Sequence, residues 1–231
     1  MTGATFCYWT VACGADGSDA SALVSSARSA GVFTDIHVWT DHEIPLATCH
    51  KPGMFKRWGG LYRLTYLRDA VATLPYEYSV WLNPKSNFCS HPGDILKTLE
   101  GAPVHVPLTI DLAAPQNEAL IWARTPAQML AQRLRRAGVK NHCIYAAEAG
   151  FFIVHRFAIP QFVNLAYEFW EQCDKEGLKL SVEPLLAFAG QMLTADPSRH
   201  QLHLHADLWS PRSRMNHDSP APAIQETSAE P

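Results

Sequence analysis

Basic side chains gathered without intervening acids can neutralise a compact anion, and this chain gathers them twice. Residues 51–68 carry Lys51, Lys56, Arg57, Arg63 and Arg68 with no Asp or Glu, and residues 124–140 carry Arg124, Arg133, Arg135, Arg136 and Lys140, again with none. Ten of the nineteen Lys and Arg stand in these two stretches of a chain whose formal net charge is −3. Local cationic segments on an acidic chain suit a small ligand such as a diphosphate better than an extended polyanion, so nucleic acid is not an expected partner. The same stretches also read as two helices with solvated basic faces. His203 and His205 stand two apart in the alternating segment Gln201–His205, which puts them on one face of a predicted strand. Cys7, Cys13, Cys49, Cys89, Cys143 and Cys173 are scattered, with no Cys-x-x-Cys and no zinc-ligand spacing, and read as reduced thiols. Cys13 ends a strand in a Gly-containing loop, which also allows the reading of a small α/β enzyme with Cys13 as its nucleophile.

The elements that position these residues follow from periodicity. A β-favouring apolar run predicts a strand over Thr5–Ala12, followed by a Gly-rich loop in which Ser18 or Asp19 caps a helix over Ala20–Ala30 that stops at Gly31. A second strand is expected over Asp35–Thr40, running out at Asp41. Leu61, Leu64, Leu67, Val71 and Leu74 predict one long helix from after Gly60 to before Pro75, and Tyr78–Leu82 a buried strand. Further expectations are a helix from His91 to about Leu99 and a proline-broken strand over Pro103–Leu108. Residues 109–125 read as irregular or weakly helical, followed by a helix over Pro126–Ala137, a strand over Ala149–His155 and helices from Pro160 and near Pro184. Strand, loop, helix, strand is the opening of a parallel α/β sheet, in which ligands gather beyond the carboxyl ends of the strands.

At 231 residues and 47% apolar content the chain has the composition of a globular α/β domain rather than of a fibrous or disordered protein. It contains no run of eighteen apolar residues and starts without the basic segment of a signal peptide, so the expectation is a cytoplasmic protein without a membrane span. From Ser210 onward Pro, Ser, Ala and charge predict a disordered tail, residues 211–231, after a domain covering residues 1–210.

The stretch Tyr62-Arg-Leu-Thr-Tyr-Leu-Arg-Asp, ending in Leu74-Pro75 and followed by Tyr78-Ser-Val-Trp-Leu82 and Asn83-Pro84-Lys85, resembles nucleotide-sugar glycosyltransferases of the GT-A fold. Other pieces fall in that family's order: His91-Pro-Gly-Asp-Ile-Leu, Ala149-Gly-Phe-Phe-Ile-Val, Val182-Glu-Pro-Leu-Leu and His203-Leu-His-Ala-Asp-Leu-Trp209. The likeness spans about residues 4–210. It implies a GT-A-like, Rossmann-like single α/β domain with a mainly parallel central sheet flanked by helices, and transfer of a sugar from a UDP- or GDP-sugar to an acceptor it does not identify.

One departure bears on the whole resemblance. Where the family has Asp-x-Asp, a carboxylate pair that holds a divalent ion on the donor diphosphate, this chain has Asn83-Pro84-Lys85. Asn83 offers one neutral oxygen and Lys85 repels a cation, so Mn²⁺ or Mg²⁺ is disfavoured and no cofactor is expected. Two carboxylates plus a divalent ion sum to zero charge, whereas Asn plus Lys sums to +1, so the ammonium can meet the diphosphate directly. The other reading is a decayed motif in which Lys85 is a solvated loop residue and the fold survives as a non-catalytic binding or scaffold module.

The resemblance also assigns the remaining candidates. Thr10, Ala12 and Cys13 fall where the family grips base and ribose, and Arg63 on the helix is a phosphate or ribose contact, with Lys56 in the preceding loop. Asp41 suits either a ligand hydrogen bond or a turn. Glu148, Glu183 and Asp111 are the carboxylates available for acceptor activation, although Glu183 equally serves the positive end of a helix. His205 matches the family's metal-shell histidine, and without the aspartates its implied role is a phosphate hydrogen bond or structure.

Overall fold

The computed structural model describes residues 5–53, 61–88, 91, 102–147, 150–193 and 209–211. In chain order the elements are β1 (Phe6–Val11), α1 (Gly17–Ser29), β2 (Ile36–Trp39), β3 (Thr48–His50), α2 (Tyr62–Asp69), β4 (Tyr78–Leu82), β5 (Ser86–Phe88), β6 (Val104–His105) and β7 (Leu108–Asp111). They continue with β8 (Ile121–Trp122), β9 (Thr125–Pro126), α3 (Ala127–Arg136), β10 (Tyr145–Ala147), β11 (Phe151–His155), α4 (Ile159–Lys175), α5 (Val182–Leu193) and β12 (Trp209–Pro211). The predicted helix beyond His91, the strand over Gln201–His205, the tail beyond Pro211, and the candidates Lys56, Glu148 and His205 lie outside the described residues, whereas Pro211 itself pairs with Ser86 in β12 and β5.

Six strands form one sheet in the order β3-β2-β1-β4-β11-β6. β3, β2, β1 and β4 pair in parallel, whereas β11 runs antiparallel to both β4 and β6, so the sheet is mixed and, as expected, mainly parallel. β1 is central, with Tyr8 opposite Ile36 on β2 and Val80 on β4. Residues 7–11 of β1 are all buried, as befits a strand covered on both faces.

Strand alternation sends side chains to two cores. Trp9 and Val11 of β1, Trp81 of β4 and Phe152 and Val154 of β11 pack with residues of α2, α3, α4 and α5. Tyr8, Ala12, Val80, Leu82, Phe151 and Ile153 pack instead with Ala20, Leu23, Val24 and Ala27 of α1. Aromatic rings tie the first core across strands: Trp9 meets Trp39, Trp81 and Phe152 with ring centres 4.7–6.2 Å apart. On the α1 side, Ser26 Oγ accepts from the Phe88 amide at 3.0 Å, which joins the helix to β5.

Several boundaries differ from the expectation, each for a local reason. The long helix before Pro75 is really α2 followed by a separate 3₁₀ turn, Val71–Thr73, because Ala70 leaves helical geometry and Leu74 is extended, the conformation favoured before proline. α1 begins at Gly17, earlier than Ser18 or Asp19 can cap it, because a 3₁₀ turn over Gly14–Asp16 feeds directly into the helix. The strand expected over Pro103–Leu108 is divided: β6 stays in the main sheet and β7, beyond Pro107, turns away to pair with β10. Within the segment read as irregular, β8 and β9 form a two-residue hairpin whose tip, Ala123 and Arg124, has φ of 51° and 63°. Among the described residues no helix is long and apolar enough to cross a membrane.

The β7–β10 pair is fastened to α5 by one buried amide. Gln191 accepts from the Tyr145 amide at 3.0 Å and donates to the Tyr145 carbonyl at 3.1 Å and the Ala187 carbonyl at 3.0 Å. Replacing it by leucine fills the volume and removes these two hydrogen bonds from Tyr145 in a buried site. Gln191→Leu is therefore expected to lower the unfolding free energy by about 1–3 kcal/mol in urea denaturation, and an unchanged midpoint would show that the amide is dispensable.

Candidate functional site

β1 and β4 are parallel neighbours whose chain continuations lead to strands on opposite sides, β2 on one and β6 and β11 on the other, a topological switch point of the kind beside which ligands bind in open α/β sheets. Three chain segments follow the strands near this point: Ala12–Asp16 after β1, Thr40–His42 after β2, and Asn83–Ser86 after β4.

The first two are clamped to each other. The Gly14 amide donates to both Asp41 carboxylate oxygens, at 2.9 and 3.1 Å, and the His42 ring nitrogen Nε2 reaches the Gly14 carbonyl at 2.9 Å. Thr40, whose side chain is buried, accepts from the His42 amide at 3.1 Å and so sets the angle of this turn. Glycine is required at 14, where φ is +61°, and at 17, where an added Cβ would fall 2.2 Å from the His42 ring. Asp41 is thus engaged as the brace of the β1–α1 loop, and its carboxylate is half-exposed. Thr10 and Ala12 are fully buried, Thr10 on the α1 side of β1 with its hydroxyl lacking a partner among the described residues. Cys13 is half-buried, its thiol 3.8 Å from the Trp39 carbonyl.

After β4 the chain reverses at once. The Ser86 amide donates to the Asn83 carbonyl at 2.9 Å, and the Lys85 amide donates to the Asn83 side-chain oxygen at 3.0 Å. This is an Asx turn, the self-capping habit of asparagine before proline. Its consequence is chemical: the one neutral oxygen that Asn83 brings already accepts one hydrogen bond, and the Lys85 side chain is exposed. The residues at this position do not fit a divalent ion, since they present no carboxylate and one of them is a cation.

Arg63 stands in the first turn of α2 and lies against β4. Its guanidinium carbon is 5.1 Å from the Trp81 ring centre and 5.7 Å from that of Tyr62, so the cation is held two strand positions before Asn83. Asp16 and Asp19 flank the start of α1, and the positive end of that helix is therefore already matched by carboxylates and unsuited to a phosphate.

The acceptor-side candidates are not brought to this edge. Asp111, at the end of β7, accepts through one carboxylate oxygen from the Ala113 and Ile144 amides, both at 3.0 Å, and so closes the β7–β10 pair. Glu183 is half-buried in the first turn of α5. Among the described residues no hydrogen bond or ion pair joins either to the residues after β1, β2 or β4. A cavity of about 480 Å³ on the flank of α1, lined by Ser21, Ser25, Arg28, Ser29, Pro45 and Leu46, takes none of the candidates into its wall.

A polar cluster that the sequence does not announce lies along β2 and β3. His37 and His50 touch ring nitrogen to ring nitrogen at 2.8 Å, His37 reaches the Tyr76 hydroxyl at 3.3 Å, and Tyr76 donates to Asp35 at 2.6 Å. Trp39 stacks on His50 at 4.6 Å. Burial, then the charge of His50, holds His37 below its ordinary value of 6.5, with Asp35 opposing, and burial lowers His50. Alternation places His37 on the face of Trp39, but β3 is three residues long with exposed neighbours and carries no periodic signal.

Removing the Asp41 carboxylate frees the β1–α1 loop while leaving both cores intact. Asp41→Ala is expected to cost about 1 kcal/mol and to speed hydrogen exchange at the Gly14 amide, with Asp41→Asn intermediate; unchanged Gly14 exchange would refute the clamp. In comparisons with known proteins, no family model matches this chain, and no curated protein matches it.

Proposed function

We propose that this chain is a GT-A-like glycosyltransferase that moves a sugar from a nucleotide-diphosphate donor to an acceptor without a divalent metal. The observation that supports this reading best is the strand order: β1 and β4 run parallel side by side, so the β1 loop and the Asn83–Ser86 turn follow adjacent strand ends at the switch point. A nucleoside would lie along the β1 and β2 ends, against the Cys13–Gly14 backbone that Asp41 braces. The diphosphate would meet Arg63, pre-positioned on Trp81, and the free ammonium arm of Lys85.

In sugar transfer negative charge accumulates on the departing nucleoside diphosphate, so cations aimed at its oxygens stabilise the transition state. Lys85 and Arg63 supply that charge in place of an ion. The Asx turn assists by fixing the backbone from which the lysine projects, which lowers the ordering entropy of reaching a bound phosphate. The reading assigns no acceptor base: among the described residues neither Glu183 nor Asp111 is joined to the strand ends, and one Asp111 oxygen already holds two amides.

The engaged Asn83 oxygen favours a second reading, a binding module that keeps the nucleotide site and has lost turnover. Calorimetry with UDP and GDP in EDTA tests the shared premise: binding is expected to survive chelation and to weaken at least tenfold, about 1.4 kcal/mol, in Lys85→Ala. Arg63→Gln is expected to act similarly, with a part of its effect on stability through the lost Trp81 contact. Release of nucleotide from a panel of donor sugars separates the transferase from the binding module. If neither nucleotide binds with or without Mn²⁺, both readings fail.

A further inference from the structure

The four side chains Asp35, Tyr76, His37 and His50 form one chain of hydrogen bonds with a single direction. Tyr76 has one hydroxyl hydrogen and gives it to Asp35 at 2.6 Å, so toward His37 it can only accept. His37 therefore carries its hydrogen on Nε2, and its Nδ1 lone pair accepts from His50 Nε2–H across 2.8 Å. The far nitrogen of His50, Nδ1, is the open end and has no hydrogen bond among the described residues.

This pair has room for one added proton. Placed on His50 Nδ1, it leaves every hydrogen bond in the chain intact. Placed on His37 Nδ1, it is tolerated if His50 moves its own hydrogen from Nε2 to Nδ1 and accepts instead. A second proton leaves hydrogen on both facing nitrogens and two cations with ring centres 5.2 Å apart, one of them, His37, only 7% exposed. The contact cannot persist in that state.

What breaks with it is defined by the register. His50 is the last residue of β3, opposite Trp39, and its carbonyl accepts from the Thr40 amide at 2.9 Å. β3 is an edge strand of three residues held to one neighbour, so its attachment rests on few interactions besides the His50 ring stacked on Trp39 and bonded to His37. The next residue after Thr40 is Asp41, the brace of Gly14.

We propose that the His37–His50 contact is an acid-operated latch: the second proton taken up by the pair releases β3 from β2 and frees the Thr40 amide beside the Asp41–Gly14 clamp. The surroundings set its direction. The charges that act on His37 are His50, which opposes protonation, and Asp35, which favours it and lies beyond Tyr76. β1 contributes the Cys7 thiol, pushed up to about 12 by burial and by Asp35 and so uncharged; α2 contributes Tyr66, whose ring tilts against Trp39 and whose hydroxyl accepts from Gly53. Lys51, exposed, follows β3 in the chain. Because both imidazoles sit below their ordinary 6.5 when folded, the unfolded chain binds more protons below that pH. The latch is fully closed above about 6.5 and weakens as pH falls. This inference does not depend on the proposed sugar transfer.

The test is a histidine NMR titration of the full chain between pH 7.5 and 4, with amide hydrogen exchange measured in parallel and corrected for the intrinsic pH dependence. Two separate protonation steps are expected for the pair. The Thr40 amide should stay protected through the first and lose at least tenfold protection through the second, while Tyr8 and Val80 amides in the sheet centre do not change. His50→Gln still donates to His37 Nδ1 but takes no proton, and by rotating it can accept after His37 is charged, so acid release should disappear in this variant. Retained Thr40 protection with both rings protonated overturns the proposal, as does equal acid release in His50→Gln. Should the variant not fold, the wild-type titration alone decides.

Discussion

The parallel pairing of β1 with β2 on one side and β4 on the other is the constraint to which every other feature answers. It buries residues 7–11 on both faces and forces Trp9 and Tyr8 into opposite cores. It also brings the ends of three strands to one edge, where backbone groups no longer have a sheet partner and must find turns, side chains or ligand. The chemistry available to the protein at this edge is decided by how those ends are tied off.

Two different devices tie them. After β1 and β2 a carboxylate of one loop takes the amide of the other, so Asp41 orders Gly14 and turns the loop into a fixed rim. After β4 the chain caps itself, as Asn83 receives the Lys85 amide and throws the lysine arm outward. The first device ties a half-exposed carboxylate to a backbone amide, whereas the second leaves a lysine side chain exposed.

Much of the frame was legible because it rests on periodic burial. Tyr78–Leu82 emerges with the bounds read from its apolar run, and of the apolar stripe Phe162, Leu165, Ala166, Phe169 and Cys173 on α4 all but the half-buried Leu165 are buried. Asp41 illustrates the limit: two roles suited the residue type, and only the 2.9 Å approach of Gly14, 27 positions away, shows it bracing a loop. The antiparallel course of β11 was hidden for the same reason, since alternation reports burial on two faces and says nothing of strand direction. β3 and β10 escaped because three-residue strands are too short for a period to be counted.

By itself the amino-acid order determined which segments bury apolar faces, where prolines end them, and that an asparagine before a proline turns the chain after β4, because these depend on residue type and near neighbours. Tertiary structure alone decided that Asn83 accepts from the Lys85 amide, that Asp41 serves Gly14, and that His37 meets His50 ring to ring. Each of these is a hydrogen bond, and a hydrogen bond depends on distances of tenths of an ångström between atoms, which spacing along the chain does not encode.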